Sequence, residues 1–154
     1  MVPFAHIHFD DSLWPLLIIR HVGTPTTLQF EDALARRTHY LERGERYVVV
    51  HDMTRASGLN PPEHRHLQAA WMQKYDMRLR ECVLGVSFVT ESAMVRLLVS
   101  LMLHAKPISM PHLAFKRMPE AVTWSAELLR RSGLRAESHH ILDRFELHPS
   151  RHTA

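Results

Sequence analysis

Tyr47-Val48-Val49-Val50-His51-Asp52 is a continuous run of β-branched and aromatic residues. It lacks the in–out alternation of a half-exposed strand, so it reads as a central strand covered on both faces. Upstream, Gly44 supplies a helix stop. Before it, Phe30, Ala33, Leu34, Arg37 and Leu41 recur at helical spacing, with Glu31, Asp32 and Arg36 on the opposite side. Gly23-Thr24-Pro25-Thr26 starts that helix. Further back, residues 14–22 (WPLLIIRHV) form a second strand, and residues 4–9 (FAHIHF) alternate as a third. Asp10-Asp11-Ser12 between them reads as a hairpin turn.

Downstream, Asn60-Pro61-Pro62-Glu63 is a helix start, with Asn60 as cap and proline in the first turn. Leu67, Ala70, Trp71 and Tyr75 make that helix's buried stripe. Residues 82–89 form another apolar strand. Thr90 caps a helix over 91–104, which Lys106-Pro107 ends. A strand over 112–116 turns Leu113 and Phe115 inward. Pro119 then opens a helix bearing Ala121, Val122, Trp124, Leu128 and Leu129, stopped by Gly133. The order is β-β-α-β-α-β-α-β-α. It predicts an α/β fold: a mixed sheet opened by a β-hairpin, with about four helices packed on it. Residues 1–133 form one domain. Residues 134–154 are a polar, His/Arg-rich tail with an apolar cluster at Ile141, Leu142, Phe145 and Leu147, enough for one short helix.

Composition narrows the function. The single cysteine, Cys82, excludes an internal disulfide framework and a multi-cysteine zinc site, and its neighbours include no histidine to activate it. The chain carries 19 Lys+Arg against 16 Asp+Glu, with the small excess spread evenly, which argues against nucleic-acid binding. The longest apolar stretch, residues 93–103, is broken by Arg96 and is far shorter than the ~20 residues of a membrane span. With no leader pattern at the start, cytoplasm is the expected compartment. The 13 histidines do not converge. His6 and His8 share a strand face without a third ligand, His64 and His66 fall on different helix sides, and His139-His140 lies in the tail. They read as reserve charge, titrating below about pH 6.5. His51-Asp52 matches the dipeptide of HD-type metal phosphohydrolases, but those sites sit on helices with further ligands. Neither a catalytic constellation nor a nucleotide loop is present. The expectation is no catalytic residue, no metal and no cofactor.

Three segments carry a resemblance: Trp14-Pro15-Leu16 after the opening strand, Val48-Val49-Val50-His51-Asp52 before a polar loop, and Phe115 followed by Met118-Pro119-Glu120-Ala121 and Trp124. Over residues 4–132 the pattern resembles the STAS/SpoIIAA-like family of small α/β domains. The resemblance implies a non-enzymatic protein-interaction or signalling module. It also implies a regulatory or partner-contact loop before the second helix, in which a serine is phosphorylated in one branch. Here that loop is 52–59, with Asp52, Thr54, Ser57 and Gly58 as its candidate residues. Ser57-Gly58-Leu59 resembles the end of the family motif, while Arg55-Ala56 stand where the family has Asp and Ser. A phosphate there would gain from a helix start and present a new charge to a partner. The plainer alternative is that Ser57-Gly58 only turns the chain into Asn60.

The helix over 91–104 is unusual on its residues alone. Ser92, Arg96, Ser100 and His104 form one thin polar stripe, and nearly every other position is apolar. Three accounts compete. The 134–154 tail covers it; it forms a homodimer or protein-partner interface through Met94, Val95, Leu98 and Met102; or it lines a pocket for a small apolar ligand, with Met94 and Met102 as walls. A carrier or sensor of a small apolar or nucleotide ligand is the competing function.

Overall fold

The computed structural model describes residues 4–58, 60–105 and 108–147. Five strands form one sheet in the order β1-β2-β3-β4-β5, the order of the sequence. They are β1 (His6–Leu13), β2 (Leu16–Gly23), β3 (Tyr47–Ala56), β4 (Val83–Val89) and β5 (His112–Phe115). β1 and β2 are antiparallel, and β2 to β5 run parallel. The helices are α1 (Thr27–Glu42), α2 (Pro62–Lys74), α3 (Asp76–Cys82), α4 (Ala93–Ala105), α5 (Met118–Arg131) and α6 (Arg135–Arg144). The mixed α/β architecture is the expected one, with six helices rather than about four.

β3 is the central strand, paired in parallel on both sides. Val48 and Val50 enter one core with Leu16, Ile18 and Val89 under α5 and α6. Tyr47 and Val49 enter the other with Leu17, Ile19 and Val86 under α1, α2 and α3. Successive parallel strands stepping in one direction need right-handed crossovers on one face. The chain therefore crosses to the second face only after β5.

Several local expectations shift. The hairpin turns at Trp14-Pro15, and Asp10-Asp11-Ser12 lie within β1 at a register shift. Asn60 is not the cap: α2 starts at Pro62 without a side-chain cap bond. Its stripe is narrower than expected, since Ala70 is exposed while His64 is buried. The segment before β4 forms α3, so Cys82 ends a helix instead of opening a strand. Its thiol is buried, which pushes its pKa up. Leu113 of β5 is 48% exposed, because this edge strand has a neighbour on one side only.

Residues 135–144 form the short helix expected in the tail, and it is built into the core. Gly133, at φ +86°, turns the chain, and Leu134 N–H donates to the Leu129 carbonyl in the manner of a helix C-cap. Ser138 Oγ donates to the Ala126 carbonyl at 2.7 Å, and Ile141 is 1% exposed beside Val122 and Leu129. α5 in turn lies so close to the sheet that a Cβ on Gly85 would collide with Leu128 and stand 3.1 Å from Trp124. Ile141→Ala is expected to cost about 2–4 kcal/mol in urea denaturation. An unchanged midpoint would mean that α6 packs too loosely to belong to the domain.

Candidate functional site

Because β2 to β5 are parallel, their carboxyl ends gather at one end of the sheet with the starts of α1, α2 and α4. Open α/β sheets place binding sites at that end. On the α5 side, Arg20 of β2 donates to Asp10 of β1 at 3.0 Å and stands 4.0 Å from Asp52 of β3. Hydrogen bonds from Ser12, helped by Arg20, hold the Asp10 carboxyl at about 2. Asp52 Oδ1 accepts from both the backbone N–H (3.0 Å) and the hydroxyl (2.7 Å) of Thr54.

This changes the expected loop. β3 runs on to Ala56, so Asp52 and Thr54 are strand residues that fasten one another. Ser57 and Gly58 alone, of the four candidates, lie in the connection to α2. Ser57 is exposed, its N–H donating to the Gly23 carbonyl at 3.3 Å. Gly58 has φ +89° and open space around it, which suits a turn. Leu59 lies outside the described residues.

The opposite face holds a cluster that sequence reasoning missed. His21 Nε2 and His51 Nδ1 are 3.0 Å apart, and His51 stacks on Phe88 with ring centroids 5.3 Å apart. Arg37 of α1 lies near both, its guanidinium 4.4 Å above the Trp71 ring. Burial, followed by the nearby Arg37 charge, holds His21 at about 4 and His51 well below the usual histidine range. His64 is also buried, stacked on Phe30. His21 and His51 are not reserve charge. The signal was present for His51: it shares the parity of Tyr47 and Val49 within a doubly covered strand, so its side chain had to face a core. Among the described residues no three His, Cys, Asp or Glu side chains could hold a metal together.

α4 is built inside out. Val99 is its one buried residue, and Val95, Arg96 and Leu103 are half-buried. The Arg96 guanidinium folds back to donate to the Thr90 carbonyl at 2.8 Å, and Ser92 Oγ accepts from Val95 N–H. The outward side is Met94 (71% exposed), Leu97 (59%), Leu98, Leu101 (55%) and Met102. Met94, Leu98 and Met102 are exposed, Val95 turns inward, and Leu97 and Leu101 join the strip. The described part of the 134–154 tail packs on α5 and does not cover α4. A cavity of about 480 Å³ between α4 and β5 is lined by Ser100, Leu103, His104, His112, Leu113 and Ala114, and neither Met94 nor Met102 is a wall. None of the described helices is long and apolar enough to cross a membrane.

The chain matches no protein-family model and no curated protein sequence. Among solved structures it is similar to an uncharacterized protein of the DUF3478 family from Shewanella loihica, described as having a SpoIIAA-like fold. The TM-score is 0.57 and the identity 18%, over 81% of this chain and 98% of the other. The fold is SpoIIAA-like, in agreement with the resemblance read from the sequence.

His21 and His51 set a pH dependence. Above pH 6.5 they are neutral in both states. Between 6.5 and about 4 the unfolded chain takes up protons that the folded chain refuses, so stability falls as pH falls. Asp10 titrates below that window. Urea unfolding at pH 5 is expected to show a lower midpoint than at pH 7, with His21 contributing up to about 2 kcal/mol and His51 acting in the same direction. His51→Phe should flatten the slope, and an unchanged slope would assign the pH dependence to other groups.

Proposed function

We propose that this chain is a non-enzymatic association module of SpoIIAA type, a cytoplasmic signalling part that works through α4 and is adjusted at the Ser57-Gly58 connection. One observation carries the proposal: α4 turns its apolar side chains to solvent and its single arginine back to the sheet. Monomeric proteins rarely expose a contiguous apolar patch beyond a few hundred Å². A strip of two methionines and three leucines suits a protein partner, since methionine adapts its shape and leucine adds area.

Two observations support the role of the connection. Ser57 is exposed, and it lies at the carboxyl end of the sheet, the same end as the start of α4. A phosphate of about −2 charge there would change the field at that end without disturbing either core.

In extract from cells that make the chain at low level, size exclusion should find it above its monomer mass, and Leu98→Glu should return it to the monomer position. Wild-type chain eluting as a monomer in extract would sink the proposal. Ser57→Asp is expected to change the bound fraction several-fold while Ser57→Ala leaves it unaltered. Equal fractions for both variants would remove the connection from the function.

A further inference from the structure

We infer that α1 and α2 form an acid-sensitive flap, which lifts from the sheet as one body on mild acidification while α5 and α6 stay packed on the other face. The inference goes beyond the proposed function and makes no use of α4.

The first argument is how the two faces are closed. On the second face α5 lies directly on β3 and β4, near enough to require glycine at position 85. On the first face α1 and α2 lie against each other more extensively than either lies against any strand. α2 reaches the sheet through long side chains such as Leu67 and Trp71. The Arg37 guanidinium of α1 stacks on Trp71 of α2, which ties the two helices together over the sheet.

The second argument is what the pair of helices encloses. His21 of β2 and His51 of β3 meet at 3.0 Å beneath them, with Arg37 near both. Among the described residues no carboxylate pairs with any of the three. Asp52 favours a proton on His21, but it is engaged by Thr54 on the α5 side of the sheet. β1 and β4 offer this core apolar and aromatic side chains, Phe9 and Phe88 among them, and α3 offers Leu79 and the Cys82 thiol. Burial keeps the phenols of Tyr40 and Tyr47 protonated, and His64 of α2 is stacked on Phe30 of α1. A proton arriving on the histidine pair therefore meets a fixed guanidinium and no counter-charge. The second face has nothing equivalent, since its buried polar side chains include the hydroxyls of Ser125 and Ser138, which do not titrate.

The third argument is that one motion removes both obstacles to the proton. Lifting α1 admits water to the imidazoles and carries Arg37 away from them. His21, held at about 4 by burial and then by Arg37, returns towards its ordinary value when the flap is open. By proton linkage His21 alone raises the open population about 30-fold at pH 5, and His51 acts in the same direction.

Hydrogen exchange of the full chain, read by mass spectrometry at pH 7 and pH 5 with times scaled for the intrinsic rate, tests the flap. At pH 5, peptides from α1 and α2 should exchange together, at least tenfold faster than those from α5 and α6. Their own protection should have fallen on the order of 30-fold from pH 7. One common protection across all helices at pH 5 overturns the flap, because the domain then opens only as a whole. Protection of α1 and α2 that does not change with pH overturns it too. The double variant His21→Gln, His51→Phe should give α1 and α2 the same protection at both pH values, and an acid loss that survives in it removes the histidines as the sensor. If that variant does not fold, the wild-type imidazole signals decide by NMR. A His21 ring that titrates near its ordinary value while α1 and α2 stay protected overturns the inference.

Discussion

Everything else in this molecule is arranged around the double burial of β3. A strand paired in parallel on both edges and covered on both faces has no solvent-facing side chain through its first half. Its residues must therefore be apolar or polar with a partner inside. Val48 and Val50 fill one core, and Tyr47, Val49 and His51 fill the other. His51 is the one position where this constraint meets a polar side chain. The sheet answers with a half-buried histidine, His21, on the adjacent strand and an aromatic ring, Phe88, on the other side. Neutral imidazole is tolerated there where a charged one is not.

The same topology leaves α4 stranded. α1, α2 and α3 lie over the middle of the sheet and share one core. The last parallel crossover runs from β4 to β5, a strand of four residues at the sheet's edge. A helix there can rest on little more than a corner, so few of its side chains can be buried at all. In most edge helices the sequence answers with polar residues. Here it places methionine and leucine in the water and folds arginine back toward Thr90. That inversion leaves five large apolar side chains in water, the observation on which the proposed association rests.

The second face, unlike the corner that carries α4, is tightly closed. α5 approaches β4 closely enough to require glycine at position 85, and α6 closes over α5 with Ile141 and Ser138. Apolar residues that the sequence seemed to offer as a cover for α4 are thus used on the other side of the sheet. The C-terminal segment looked like a tail because its helix is short and mostly polar, with hydrophobic character concentrated in four residues. Whether such a segment packs depends on where the preceding helix leaves it, and Gly133 leaves it against α5.

Periodicity and β-branched runs gave the five strands, most of the helices and a mixed α/β sheet, because these depend on local spacing and on a strong rule for the hand of crossovers, while the SpoIIAA-like fold was legible only as a family resemblance in three segments. They also exposed α4 as an anomaly, since a helix with so thin a polar stripe cannot sit half in water by the usual logic. Local pattern could not say which way that stripe faces. It could not say that Asp52 and Thr54 close on each other within a strand, or that His51 and His64 go inside while His21 packs half-buried on His51. Orientation and burial are set by contacts between residues 30 to 40 positions apart (His21 with His51, Thr27 with His64), and only the folded chain brings those together.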